Sequence, residues 1–249
     1  MNFLSDEILK IFLLDRTTGK NILWANAEYG ATEIQLEQIG LIQPRWKKVR
    51  ELQKLRTKLR AEIFTPPDVC EQQNNLIAAE KKSWTDYIDA KFLEITCGEA
   101  PYLVSRYNAV TGEPIALENR VGLLDRKLRL VNDETSAVKD WKDFALRAVQ
   151  SVYGYEFQGD NLFLARKNVF ETVIDYHQEK FSHKPPEDFL LNVAEIISWN
   201  LWQMDGLSKN YSPPFMDSAN LFGGANCKIK DWSTGEIFEF GDLLRGGCR

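Results

Sequence analysis

Three carboxylates stand at the ends of short apolar runs and offer the chain's clearest chemistry. They are Glu94 after Phe92-Leu93, Glu156 after Ser151-Val152-Tyr153-Gly154-Tyr155, and Asp205 after Ile197-Ser198-Trp199-Asn200-Leu201-Trp202-Gln203-Met204. An acid ending a buried strand can accept hydrogen bonds from ligand hydroxyls or amines and attract a cation. Glu94 runs into Thr96-Cys97-Gly98-Glu99-Ala100-Pro101, a turn whose amides can meet an anionic ligand group. The turn lacks the second glycine of a dinucleotide loop, which disfavours a nicotinamide or flavin enzyme. Asp125, within Val121-Gly122-Leu123-Leu124-Asp125-Arg126, rivals Glu156 for the second position. It also ends an apolar run and lies nearer the ~20-residue spacing expected after the first turn. Asp205 has a second reading as a capping or turn residue. Cys97 reads as a small packing residue rather than a nucleophile, since no base of matching type accompanies it.

These acids need rigid elements behind them. Phe92 to Ile95 reads as a short buried strand, with Tyr102 to Tyr107 helical after the turn. Residues 108–135 are loop-rich. Helices follow at about 137–150, 161–180 and 187–196, with strands at 151–156 and 197–202 between and after them. Such alternation predicts an α/β fold with a mostly parallel sheet and right-handed crossovers. Ahead of it, residues 1–40 hold a small N-terminal element. The stretch from Pro44 to Glu62 crowds Arg45, Lys47, Lys48, Arg50, Lys54, Arg56, Lys58 and Arg60 beside an apolar stripe of Trp46, Val49, Leu52 and Leu55. It predicts an amphipathic helix with a solvated basic face, or else a phosphate-contacting surface. A helix is expected over 68–80, and a hairpin across Ser233-Thr234-Gly235-Glu236.

Composition excludes several classes. The net charge of −5 advertises no global affinity for nucleic acid, so any DNA contact must be local. The four cysteines are scattered without a Cys-x-x-Cys pair, and the two histidines, His177 and His183, have no partners at metal-ligand spacing, so no metal site is expected. The acidic start Met1-Asn2-Phe3-Leu4-Ser5-Asp6-Glu7 is unlike a signal peptide, and no apolar run approaches the ~20 residues of a membrane span. A cytoplasmic protein that does not engage a membrane is expected.

The order of motifs sharpens this. Phe64-Thr65-Pro66-Pro67, then Leu93-Glu94-Ile95-Thr96-Cys97-Gly98-Glu99-Ala100-Pro101-Tyr102-Leu103, then Gly154-Tyr155-Glu156 with Leu164-Ala165-Arg166-Lys167-Asn168, then Gln203-Met204-Asp205-Gly206, resembles the adenine-N6 DNA methyltransferases of restriction-modification systems whose cofactor motifs precede the catalytic one. The resemblance spans about 60 to 207. It implies a Rossmann-like S-adenosylmethionine-dependent methyltransferase fold over 61–249, in part, behind a mainly helical N-terminal extension over 1–60. It also implies a cofactor site of Thr65, Glu94, Cys97, Gly98, Pro101, Glu156 and Asp205. In that family the Thr-Pro-Pro turn packs against the methionine end of S-adenosylmethionine, the second acid takes the ribose hydroxyls and the third the adenine amino group. Ile95 stands where the family has proline and Ala100 where it has glycine.

The implied partner is double-stranded DNA with its target adenine flipped out, together with a restriction endonuclease subunit or a C-terminal part. The family's catalytic Asn/Asp-Pro-Pro-Tyr/Phe occurs nowhere in the chain. The nearest counterpart is Ser212-Pro213-Pro214-Phe215, read either as a catalytic loop or as a proline turn. No apolar strand precedes it to hold a base in register, and the expectation is that the catalytic loop lay downstream of this chain. The alternative function is a non-catalytic DNA-binding or interaction subunit that keeps the fold.

Overall fold

The computed structural model describes residues 4–26, 28–60, 62–77, 83–206 and 226–244. The Ser5 side chain caps α1 (Asp6–Leu13) by accepting the Ile8 N–H at 3.4 Å, and Asp6 and Glu7 sit in the positive first turn. There follow α2 (Arg50–Arg60), α3 (Pro67–Ile77), α4 (Trp84–Asp89), β1 (Phe92–Glu94), α5 (Leu123–Glu134), α6 (Val138–Gln150), β2 (Val152–Glu156), α7 (Gly159–Phe181), α8 (Glu187–Asn200), β3 (Leu201–Gln203), β4 (Lys228–Lys230), β5 (Ile237–Glu239) and α9 (Phe240–Leu244). Pro67 opens α3, where its missing N–H is no loss.

The fold is mixed α/β. Strands β1, β2 and β3 form a parallel sheet in that order, with Glu94 opposite Gly154 and Glu156 opposite Gln203. The carboxyl ends of the strands therefore lie side by side. Alternate residues serve two cores, as strand periodicity requires. Phe92, Val152 and Leu201 join the large helical core with Phe12, Leu124, Trp141, Phe170 and Ile197. Tyr153, Tyr155 and Trp202 face the other way, onto Ile229 and Phe240 of the antiparallel β4–β5 hairpin and α9. That hairpin turns over the expected residues, with Gly235 at φ 76. Ile22, Trp24 and Ile34 from the segment after α1 belong to the same large core.

Two buried groups fasten the layers. The Asn200 side chain donates to the carbonyls of Val149 at 3.0 Å, Gln150 at 3.2 Å and Val152 at 3.0 Å, tying the end of α8 to the start of β2. Arg166 of α7, fully buried, donates to the carbonyls of Phe12, Leu14, Ser198 and Leu201. It thereby holds α1, the last turn of α8 and the first residue of β3 together.

Several sequence expectations change. Residues 102–107 form turns and extended chain rather than a helix, because this segment is short and ends at an isolated bridge from Tyr107 to Pro114. The loop-rich stretch over 108–135 contains α5, whose apolar residues Leu124, Leu128 and Val131 recur at helical spacing and are buried. The strand expected over 197–202 is helical as far as Asn200, and only Leu201–Gln203 pair with β2. The last turn of α8, from Ile196 to Asn200, is buried on every side, and such a turn and a buried strand read alike.

The basic face expected on α2 is exposed at Arg50, Lys54 and Lys58, but the apolar stripe is not buried beneath it and two of the cations are. Arg56 is 1% exposed and Lys48 9%, whereas Val49 is 66% exposed and Leu55 42%. The cause is a pair of buried acids. Arg56 Nε meets Glu62 at 2.6 Å and its Nη1 meets Asp160 at 2.9 Å, while Lys48 Nζ reaches Asp160 at 3.1 Å. Buried charges persist only when paired, so these cations turn inward and the leucines outward.

Candidate functional site

The three parallel strands end under a groove of two adjoining hollows. The first, about 380 Å³, is lined by Thr65, Glu94, Cys97, Gly98 and Pro101, with the apolar Leu93 and Leu123. The second, about 680 Å³, is lined by Glu156 and Asp205, with Lys58, Glu62, Gln158 and Asn161. Ile63, Phe64, Thr96 and Gly98 border both hollows, so the two adjoin. Every residue expected at the cofactor site lines one or the other. Volumes of this size are ordinary for small-molecule sites, and the carboxyl ends of parallel strands are where such sites form.

The turn after β1 is shaped by three left-handed residues, Thr96 at φ 48, Gly98 at φ 54 and Ala100 at φ 64. Only glycine takes this conformation freely, so Ala100 adopts, at a cost of about 1 kcal/mol, the backbone its glycine counterpart would take without strain. The Cys97 N–H donates to the Tyr155 carbonyl at 2.8 Å and the Ala100 N–H to the Cys97 carbonyl at 2.7 Å. Gly154 makes this approach possible: a Cβ there would lie 3.3 Å from Cys97 Sγ and 2.9 Å from Leu201 Cδ2.

Both strand-end glutamates hold turns as well as facing the groove. Glu94 accepts the N–H of Tyr102 at 3.3 Å and of Leu103 at 3.2 Å, one on each carboxylate oxygen. Glu156 accepts the N–H of Gly98 at 2.9 Å and of Gln158 at 3.0 Å. The Gly98 amide, expected to meet an anionic ligand group, is thus spent on Glu156. Each carboxylate oxygen keeps a lone pair for a ligand donor.

Among the described residues no ion pair reaches Glu94. Burial pushes its carboxyl up to about 8, with the nearby Glu156 charge adding to the effect and the two amide bonds opposing it. Burial likewise pushes Glu156 up to about 7, against the bonds from Gln158 and Gly98. The Cys97 thiol is raised well above its ordinary value by burial and by both glutamates, which fits a packing role and not a nucleophile.

Asp125 takes no part in the groove. Fully buried in the first turn of α5, it accepts the Ser105 N–H at 2.8 Å and the Gly122 N–H at 3.2 Å, capping the helix that its neighbours Leu123 and Leu124 begin. Ser212, Pro213, Pro214 and Phe215 lie outside the described residues.

The sequence reading missed Glu62 and Gln158. Glu62 is two residues ahead of Phe64, inside a stretch read for its cations, and Gln158 is two residues past Glu156. Nearness to the two recognised motifs was the available signal. Compared with known proteins, the chain matches no protein-family model, no curated protein and no solved structure.

Proposed function

We propose that this chain is the S-adenosylmethionine-binding portion of a DNA adenine-N6 methyltransferase of a restriction-modification system, with a Rossmann-like fold. The observation that carries the reading is the pair of adjoining hollows at the ends of β1, β2 and β3, lined by Thr65, Glu94, Gly98 and Pro101 on one side and by Glu156 and Asp205 on the other.

The residues fit the cofactor's parts. Glu94 is a buried carboxylate with no cation beside it among the described residues, in a hollow otherwise rich in Phe64, Leu93 and Leu123, which suits an aliphatic chain bearing a sulfonium. Glu156 and Asp205 stand in the hollow that also holds Glu62, Gln158 and Asn161, whose donors and acceptors suit a ribose and an adenine amine. When bound, the cofactor supplies an electrophilic methyl group. The chain's own residues orient it: Glu94 fixes the 101–103 turn that walls the methionine end, and Glu156 fixes Gly98 and Gln158 on either side of the ribose position.

Calorimetric titration of the purified chain with S-adenosylhomocysteine tests this. Saturable heat that weakens in Glu156→Ala is expected; no heat and no thermal shift at millimolar ligand rejects the reading.

The exposed side of α2 favours a second reading, a DNA-binding or interaction subunit. Lys54 and Lys58 flank the exposed Leu55 and Leu59, close to the groove mouth at Ile63. Salt-dependent DNA binding that falls in a Lys54→Glu, Lys58→Glu double variant, with no response to S-adenosylhomocysteine, would favour it over the first.

A further inference from the structure

Helix α2 carries two rows of side chains along its solvent side. Arg50, Lys54 and Lys58 follow one another at four-residue spacing, and all three are exposed. Beside them run Leu55 and Leu59, 42% and 54% exposed, and just past the helix comes Ile63, 76% exposed. The helix cannot roll to cover these leucines without pulling Arg56 away from the buried Glu62 and Asp160. Among the described residues no acid pairs with Arg50, Lys54 or Lys58, Glu51 of the same helix included.

Exposed lysines on two other helices are treated differently. Lys139 of α6 has Asp143 four residues on, at 2.7 Å, and Lys167 of α7 has Glu171 four residues on, at 3.8 Å. Side chains four apart on a helix are neighbours, so opposite charges there attract and like charges repel. The row on α2 sets cation beside cation in a chain whose net charge is −5. Taken alone, such a row suits a nucleic-acid backbone. The leucine row does not, because phosphates cover no apolar surface and Leu55, Leu59 and Ile63 would stay exposed to water. A second copy of the chain meets the leucines but brings the same three cations to the contact. An amphipathic helix with apolar residues in one row and acids in the next covers both rows at once.

We propose that this face of α2 docks an acidic amphipathic helix belonging to a second polypeptide. The proposal stands on α2 alone and holds or fails separately from the methyl-donor reading; of the partners that the exposed side of α2 admits, it selects a protein and not DNA. Lys58, Leu59 and Ile63 also line the second hollow, so the docked helix lies at the mouth of that hollow. The leucine row supplies the apolar contact, and the cations fix which helices are accepted and in which register.

The test titrates the full chain into two labelled synthetic peptides of about four heptads, read by fluorescence anisotropy. Both carry leucine at the a and d positions; one is flanked by glutamate and the other by lysine, and each is kept from pairing with itself by its own like charges. The glutamate peptide is expected to bind about tenfold or more tightly than the lysine peptide, and a Lys54→Glu, Lys58→Glu chain is expected to invert that preference. A Leu55→Gln, Leu59→Gln chain should weaken the glutamate peptide by about tenfold with its thermal midpoint nearly unchanged, since both positions are exposed and glutamine suits a helix. Equal binding of the two peptides, or a preference that charge reversal leaves alone, overturns the proposal. So does a short DNA duplex that binds this face, resists displacement by the glutamate peptide and still binds the leucine variant, as a phosphate-contacting surface would. Self-association of the wild-type chain that the leucine variant abolishes also overturns it, by assigning the face to a second copy. Because the readout is peptide binding, none of these failures touches the titration with S-adenosylhomocysteine.

Discussion

Two regions at the groove, one around Glu94 and one around Glu62 and Asp160, handle buried charge in opposite ways. Around Glu94 there is no compensating cation among the described residues, and the carboxyl answers by holding its proton to about pH 8. Around Glu62 and Asp160 the charge is met by Arg56 of α2 and by Lys48 just ahead of that helix, bonded at 2.6 to 3.1 Å. Desolvation forces a choice between neutralising a group and pairing it, and both solutions occur at this groove, Glu156 following Glu94 in being raised by burial. The difference teaches what each end can take. An acid that lacks a cation leaves a place for a positive ligand, whereas acids already paired leave room mainly for neutral donors.

Among single substitutions at fixed pH, breaking the paired side should give the largest effect. Arg56→Met leaves Asp160 with Lys48 and Glu62 with only the more distant Arg45 at 3.9 Å among the described residues, and removing one partner of a buried pair costs about 3–5 kcal/mol. A urea titration should show that loss as a lower midpoint at unchanged slope. The exposed Lys58→Met on the same helix should stay within about 0.5 kcal/mol of the wild-type chain. An Arg56→Met chain as stable as wild type would mean that the ion pairs do not hold α2 against α7.

The unpaired side predicts a stability that depends on pH. The folded chain keeps the Glu94 proton up to about pH 8, while the unfolded chain releases it near the ordinary value of 4.5. Between those values the native state binds more protons, so stability falls as pH rises from about 4.5 to 8. Glu156, raised to about 7, adds to the fall over the lower part of the window. At about 1.4 kcal/mol per pH unit the two raised carboxyls allow a combined decline of up to roughly 8 kcal/mol, read as a falling thermal midpoint in the ligand-free chain. Glu94→Gln should flatten the Glu94 share of that slope. A thermal midpoint that rises from pH 5 to 8 would show that the carboxylates are better solvated than their burial implies.

What the sequence disclosed follows from which residues report locally. Glu94 and Glu156 each end a strand whose apolar residues announce it, and a small-residue turn follows the first, so both were placed at the groove from order alone. Asp125 looked equivalent because an apolar run also precedes it, yet Leu123 and Leu124 are the first residues of a helix and not the last of a strand. Periodicity cannot separate these cases over two residues. The inward turn of α2 was invisible for a different reason. Arg56 faces the core because Asp160 lies there, more than a hundred positions along the chain, as its hydrogen bond to that carboxylate records. Long-range pairing of charges leaves no mark on local pattern, and Glu62 and Gln158 escaped notice with it.

The smallest effect is the one that most directly tests the contrast between the hollows. S-adenosylmethionine and S-adenosylhomocysteine differ by a methyl group and the sulfonium charge, and only the cation should benefit from an ionised Glu94 or Glu156. Raising the pH from 6 to 8 carries Glu156 through its titration at about 7 and brings Glu94 to the midpoint of its own at about 8. The affinity ratio favouring the sulfonium should therefore rise by about fivefold across that interval, since an opposite charge within a few ångströms is worth roughly 1 kcal/mol after screening. Glu94→Gln should remove most of the rise if the sulfonium lies in the first hollow, and Glu156→Gln should remove most of it if the sulfonium lies in the second. A ratio that stays flat in the wild-type chain would mean that the cation does not sit beside either carboxylate, and the division of labour between the hollows would fail with it.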